Sequence, residues 1–288
     1  MSEFLTPMNS ETFLKNYPEK PIDAYKGMHG RTLLIGGSYG MAGAVCLNIL
    51  GAQAAGSDYI CCALDDSIYP VAASRFLTPV FFPLTEENWK ETIRKALNDK
   101  ITAVAFGSGI DRLPYKQELL VFLLSECSVP LLLDAGALQL IAEDKGLLKN
   151  GQCPLILTPH IGEFAALCNK SIAEISEDRS AAALAFAKEY NVTLVLKGPQ
   201  TIIADPEGRL TQNNSGNPAL AQAGSGDLLS GITAGMLTLV RDPFTAVSMA
   251  VWLHGHLADR ARRFYSAHVF PLEVYPQLMN AFLLENGR

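Results

Sequence analysis

The sequence predicts a doubly wound α/β domain, a mostly parallel sheet flanked by helices, and three observations carry that expectation. Short apolar runs such as TLLI at residues 32–35 and VTLVL at 192–196 alternate with helical patterns along the chain. Almost every run stops at a turn holding glycine, aspartate, histidine or lysine, and parallel strands deliver such turns to one edge of the sheet. No internal repeat, low-complexity tract or long linker breaks the alternation. The 288 residues, 49% of them hydrophobic and 18% charged, suffice for one large domain or two small ones.

Residues 1–28 read as a leader with one short helix over 10–16, and residues 29–288 as a single domain. A strand at 31–35 runs into Gly36-Gly37-Ser38-Tyr39-Gly40 and then an Ala-rich helix over 41–55. These glycines do not fit the G-x-G-x-x-G dinucleotide spacing. Strands at 58–64 and 78–82 precede a helix over 86–98, and a buried strand at 101–106 ends at Gly107-Ser108-Gly109. A helix over 117–126 leads to a strand at 130–133 and a turn over 134–138. In the second half a strand at 154–157 precedes Thr158-Pro159-His160-Ile161-Gly162-Glu163, with helices over 161–168 and 175–190. A strand at 192–196 ends at Lys197-Gly198, and 200–204 with 209–212 form a hairpin around Asp205-Pro206-Glu207-Gly208. Helices over 227–240, 243–260 and 272–284 finish the order.

Composition excludes several classes. A net charge of −6 argues against a nucleic-acid binder. The six cysteines lie in apolar runs without C-x-x-C spacing and read as buried thiols of a reducing, cytoplasmic compartment. The N-terminal stretch is too charged for a signal peptide. The most apolar stretch, 119–142, is interrupted by Glu126, Pro130 and Asp134, so no transmembrane helix is expected.

The chemistry concentrates at Ala223-Gly224-Ser225-Gly226-Asp227, a glycine turn that opens a helix. Unpaired amides of Gly224, Ser225 and Gly226, with the positive end of the helix dipole, make an anion site. Asp227 is either a first-turn helix residue or a general base aimed at a substrate hydroxyl that attacks phosphorus. Ser230, Gly231, Ala234 and Gly235 read as architecture that keeps the helix thin. Lys197 is either a solvated strand-end residue or a cation beside a phosphate cleft, with Thr201 as a polar contact. The 158–163 segment reads either as a helix cap, with Thr158 a candidate capping residue, or as a site. In the latter, His160 contacts substrate and Glu163 holds a magnesium-bound water. Asp134 is open between a structural and a functional role. His254 and His256, two apart on a helix, face different directions and are not expected to share a metal.

With these residues in hand, the chain resembles the ribokinase-like superfamily, and within it the NAD(P)H-hydrate dehydratases. The resemblance runs from about Gly30 to the end and rests on GRTLLIGGSYGMAGA, the GSG after the central strand, LLLDAGAL, LTPHIGEF, VLKGPQT and NPALAQAGSGDLLSG. Six motifs in order are specific, whereas A-x-x-G-x-G-D alone indicates only the superfamily. The resemblance implies repair of NADHX and NADPHX to NADH and NADPH with ADP or ATP and Mg²⁺, releasing AMP or ADP and phosphate. It further implies that Lys197, Gly198, Pro199, Gln200, Thr201 and Gly226 contact the adenine nucleotide. Ala44, Gly109, His160 and Asp227 would then contact the hydrated dinucleotide, and the protein would form a homotetramer. Two loops depart from the family pattern: Gly107-Ser108-Gly109-Ile110-Asp111 replaces G-P-G-L-G, and DAGAL replaces D-A-D-A-L. No epimerase domain is expected before the dehydratase region. The competing readings are a small-molecule kinase of the same superfamily and a nucleotide-binding sensor without turnover. The TPHIGEF and KGPQT motifs favour the dehydratase over the first, and Asp227 argues against the second.

Overall fold

The computed structural model describes residues 5–288. Helix α1 (Ser10–Asn16) precedes strand β1 (Thr32–Ile35), helix α2 (Ala42–Ala54) and strand β2 (Ile60–Asp65). Helix α3 (Tyr69–Arg75), strand β3 (Val80–Leu84), helix α4 (Trp89–Leu97), strand β4 (Ala103–Phe106) and helix α5 (Lys116–Glu126) come next. Strand β5 (Leu131–Leu133), helix α6 (Gly136–Glu143), strand β6 (Leu155–Leu157) and helices α7 (Ile161–Cys168), α8 (Ile172–Glu177) and α9 (Arg179–Tyr190) follow. Strands β7 (Val192–Leu196), β8 (Ile202–Ala204) and β9 (Leu210–Gln212) lead to helices α10 (Ser225–Leu239), α11 (Pro243–Ala261) and α12 (Tyr275–Glu285).

The strands form one sheet in the order β3-β2-β1-β4-β5-β6-β7-β8-β9, parallel from β3 through β7, with an antiparallel β7-β8-β9 end. This is the doubly wound, mostly parallel architecture that the alternation implies. Both faces are covered, so the central strands β4, β5 and β6 are apolar and buried throughout rather than alternating. In β1, Leu34 packs into the core on the side of α2, α10 and α11, while Leu33 and Ile35 pack into the core on the side of α4, α5 and α9. The segment expected as a leader contributes α1, whose fully buried Phe13 lies against Tyr17, Trp252 and Phe282. Upstream of it, the Leu5 amide donates to the Leu210 carbonyl at 2.7 Å, along the outer side of β9.

Three elements differ from expectation. Residues 69–75 form α3, which has only two turns and one buried residue, Ala72, and so leaves no periodic trace. The turn expected over 134–138 is instead the start of α6, an apolar segment whose first residue, Gly136, is a poor helix former. The single helix expected over 175–190 is two helices. Asp178, at φ −151° and ψ 85°, leaves helical geometry and accepts from the Ala181 amide at 2.9 Å, capping α9.

Helices α2 and α10 run side by side in the same direction at backbone contact. Gly51 faces the Leu228 carbonyl and Gly231 faces the Asn48 carbonyl, each too closely for a β-carbon. Gly231→Ala therefore drives a methyl into backbone rather than into a side chain that can rotate away. We expect it to lower stability by about 1–3 kcal/mol or more, measured as a drop in Tm; an unchanged melt would refute this close-packing account.

Candidate functional site

The strand order reverses direction between β1 and β4, which grow outward to opposite sides; in open α/β sheets ligands bind at such a switch point. The two loops leaving these strands are bonded together. The Gly37 amide donates to the Ser108 carbonyl at 2.8 Å, and the buried Ser38 hydroxyl donates to the Gly109 carbonyl at 2.7 Å. Ala44 sits against Gly109 so closely that a β-carbon on the glycine would press on the Ala44 methyl. Ala44 and Gly109, far apart in sequence, therefore share one wall. Loop joins to loop along the rest of the edge: Asp134 N–H to Phe106 C=O at 3.1 Å, Thr158 N–H to Leu133 C=O at 3.3 Å, and Lys197 N–H to Pro159 C=O at 2.8 Å. The convergence expected for the Gly36, Gly107, Asp134, His160 and Lys197 turns is present, and α10 brings Asp227 to it.

At the centre is Lys197. Its Nζ lies 2.9 Å from Asp134 Oδ1 and 4.0 Å from Glu163 Oε2, so it bridges across β6 and is not a solvated strand-end residue. The other Asp134 oxygen takes a hydrogen bond from the Ser230 hydroxyl. Ser230 was expected to be architecture alone. It follows Asp227 by three positions on α10 and shares its face, which is the sequence signal for a joint role. Gly231 and Gly235 keep the architectural role: both abut α2, a β-carbon at either meeting the Asn48 carbonyl or the Ala55 methyl.

Burial alone would push the Asp134 carboxyl up, but the Lys197 ammonium and the bonds from Ser230 and Lys197 outweigh it and hold it below the ordinary carboxylate range. The Thr158 hydroxyl is buried beside Asp134 without a hydrogen bond of good geometry. Lys197 is opposed by its own burial, yet Asp134, Glu163 and Asp227 together raise its pKa. Asp227 goes the other way: burial, and after it the charge of Asp134, push its carboxyl up, offset in part by the Ser108 hydroxyl and Lys197. A second residue that sequence reasoning missed, Asn48, holds this corner. Its side-chain amide donates to the Asp227 carbonyl at 2.7 Å and to the Ser108 hydroxyl at 3.1 Å. It is a buried polar residue inside an apolar helix, and that incongruity was its only signal.

The expected cap at 158–163 is real but uses another residue. His160, not Thr158, is the N-cap of α7: its Nδ1 accepts from the Gly162 and Glu163 amides at 3.0 and 3.1 Å. Glu163 Oε2 returns a bond from the His160 amide at 2.7 Å, closing a capping box. Accepting at Nδ1 leaves the proton on Nε2, which lies on a mostly exposed ring able to donate outward. Within the glycine turn, Gly224 is the left-handed N-cap of α10 at φ 87°. The Ser225 amide, expected to be open in the anion site, instead donates to the Gln222 carbonyl at 3.3 Å, which leaves the amides of Gly226 and Asp227 as the unpaired donors of the first turn. Behind them the Ser225 hydroxyl lies 3.3 Å from Nε2 of His254, whose burial, with help from Lys197, lowers its pKa to about 4 and keeps the ring neutral. Gly198, Pro199, Gln200 and Thr201 form a turn beside this cluster, and the Thr201 hydroxyl donates to the Gly198 carbonyl at 3.0 Å.

The two aspartates should respond oppositely to pH. Asp227 has a raised folded pKa, so its ionisation opposes folding above the carboxylate range, and this disappears as pH falls below its unfolded value. Asp134 has a lowered folded pKa, so its stabilisation is present above the unfolded value and is lost as pH falls through the folded one. Thermal melts should show Asp227→Asn more stable than wild type at neutral pH, the gain shrinking on acidification. Asp134→Asn, which strips Lys197 of its closest partner, should lose about 3–5 kcal/mol. Shifts of the same sign in both variants would contradict this arrangement.

Comparisons with known proteins give the family. A family model described as NAD(P)H-hydrate dehydratase matches residues 32–278. The ADP-dependent (S)-NAD(P)H-hydrate dehydratase of Bacillus subtilis is 35% identical, over 87% of this chain and 88% of its own. A bifunctional NAD(P)H-hydrate repair enzyme of Moorella thermoacetica is 36% identical over 85% of this chain, which spans 48% of that longer protein. The crystal structure of the ADP/ATP-dependent dehydratase from B. subtilis, co-crystallised with ATP and Mg²⁺, superimposes with a TM-score of 0.83 at 30% identity, covering 97% of this chain and 98% of that one. A ribokinase-like superfamily protein of Enterococcus faecalis shares the fold with a TM-score of 0.83 at 23% identity, over 96% of this chain and 95% of its own. With most of its length inside the family model and an enzyme of the same size 35% identical to it, the chain belongs to the NAD(P)H-hydrate dehydratase family.

Proposed function

We infer that this protein restores NADHX and NADPHX to NADH and NADPH, using ADP or ATP with Mg²⁺ and releasing phosphate with AMP or ADP. The observation that carries the reading is Asp227, a carboxylate of raised pKa at the first turn of α10, beside Lys197 and the outward amides of that turn. A base poised nearer neutrality takes a hydroxyl proton more readily than an ordinary carboxylate does. Asp227 removes the proton from the ring hydroxyl; the freed oxygen attacks the terminal phosphorus and displaces the shorter nucleotide. The ring nitrogen lone pair then expels phosphate, and loss of a ring proton completes the double bond. The Gly224–Gly226 turn would stabilise charge on the transferring group through the Gly226 amide, the Ser225 amide being committed to Gln222. Lys197, Gly198, Pro199, Gln200 and Thr201 would take the adenine nucleotide. Ala44, Gly109 and the Nε2 proton of His160 would meet the dinucleotide.

The residues present fit a magnesium ion held mainly by phosphates and water. One Glu163 oxygen is committed to the His160 amide, while the other, Oε1, has only the imidazole Nε2 at 3.6 Å and can accept from the ion's water shell. When bound, the ion would neutralise phosphate charge, which this site, with three carboxylates around one lysine, does not do alone. No helix among the described residues is long and apolar enough to cross a membrane. A cytoplasmic location accords with six free cysteines, four of them buried. Self-association, to a tetramer by family likeness, has a candidate face in the exposed Tyr69, Val71, Leu77 and Val80.

Purified protein should regenerate NADH absorbance from NADHX only with ADP or ATP and Mg²⁺ present. Recovery at the same rate without nucleotide, or a stable phosphorylated product, would overturn the assignment. Asp227→Asn should cut turnover by roughly 10²–10⁴-fold while nucleotide affinity holds or tightens. Near-normal turnover in that variant would remove Asp227 from the chemistry.

A further inference from the structure

Arg179, the first residue of α9, makes no hydrogen bond to the Asp134–Lys197 cluster or the glycine wall among the described residues. Its guanidinium nonetheless reaches the loop that follows β7. Nη1 donates to the Pro199 carbonyl at 2.9 Å and Nη2 to the Leu196 carbonyl at 3.3 Å, gripping the turn on both sides of Lys197 and Gly198. Gly198 has φ 153°, and a β-carbon there would lie 3.1 Å from Nη2, so the guanidinium fits against bare backbone. Its Nε is buried without a partner, and no carboxylate acts on its pKa, which burial alone lowers. Arg179 is half-buried, and its guanidinium is spent on two carbonyl oxygens with no acid bonded to it.

The peptide geometry gives it a use. In a trans peptide the C=O and the following N–H point in opposite directions, and the chain contains no cis bonds among its described residues. Anchoring the Leu196 carbonyl on Arg179 turns the Lys197 amide the other way, where it meets Pro159 at 2.8 Å. Anchoring the Pro199 carbonyl likewise turns the Gln200 amide away from Arg179. Gln200 is held at φ 55°, a conformation a non-glycine residue adopts only when its surroundings impose it. The lone pairs of the Leu196 and Pro199 carbonyls, which would repel an anion, are drawn to the Arg179 side of the turn.

We propose that Arg179 is a positioning residue for nucleotide binding, a splint that holds the 197–201 turn with the Leu196 and Pro199 carbonyls turned towards its guanidinium and the Gln200 amide turned away from it. The ligand class is the adenine nucleoside di- or triphosphate, and the proposal rests on the reading of 197–201 as the nucleotide loop. The test compares wild type with Arg179→Met and Arg179→Lys, titrating each with ADP by calorimetry and measuring KM for ADP and for NADHX. A lysine carries a point charge and cannot span two carbonyls, so it should rescue only in part. The ADP Kd and KM should rise about 10–100-fold in Arg179→Met and less in Arg179→Lys. The KM for NADHX should stay within about twofold of wild type. A lower Tm with unchanged ADP affinity in the lysine variant, which keeps charge and most of the stem, would reduce Arg179 to fold support and overturn the proposal. Wild-type protein that binds no ADP would overturn the nucleotide-loop reading itself, a result distinct from binding that is indifferent to residue 179.

Discussion

The backbone contact between α2 and α10 is the constraint on which the rest depends. Each helix follows a glycine turn, and because the two run in the same direction, both turns arrive at the same edge of the sheet. The contact needs Gly51 on one helix and Gly231 on the other, and Asn48 ties the pair by donating to the Asp227 carbonyl. Were the axes separated by side chains of ordinary size, Asp227 would move away from Ser108 and from the Ala44–Gly109 wall. Small residues that look like mere thinness in the sequence thus set the distance between Asp227, the proposed base, and the wall proposed to meet the dinucleotide.

Within that frame the electrostatics are asymmetric. One lysine serves three carboxylates, and the nearest of them, Asp134, takes most of its charge and the Ser230 hydroxyl as well. Asp227 receives what is left and also feels Asp134 as a like charge, so two aspartates a few residues' width apart are driven to opposite sides of the ordinary range. Separation of paired carboxylates into a permanently ionised group and a proton-accepting one is a common way to build a base from ordinary side chains. Asp134 thus fixes Lys197 and biases Asp227.

Much of this was legible in the residues. Strand ends and turn chemistry put Gly36, Gly107, His160 and Lys197 on one edge, and the helices over 161–168 and 10–16 fall where their patterns place them. What was not legible has physical causes. A lysine after an apolar strand has no sequence mark that separates a solvated tip from a buried ion pair, because the partner lies 63 positions away. The serine at 108 and the asparagine at 48 acquire meaning only when two loops and two helices meet. The break at Asp178 hides in a sequence of continuous helical propensity, since a cap is recognised by its dihedral angles and not by its neighbours. The histidine at 160 replaces the usual serine or threonine at a helix start, so composition pointed to Thr158.

The two ends of the sheet carry a consequence for how copies of this protein can meet. On β9, the outward carbonyl of Leu210 is already engaged by the Leu5 amide, and the Thr211 hydroxyl reaches the Leu5 carbonyl at 3.3 Å. On β3, the strand at the opposite margin, Pro83 has no amide hydrogen to offer. A nine-stranded sheet with open margins would be a template for adding strands from other chains, the route to fibrous aggregates. Here both margins are blunted, so copies are steered towards meeting through side-chain surfaces. Any such assembly gains specificity from shape and polarity, while the backbone ladder ends where the molecule ends.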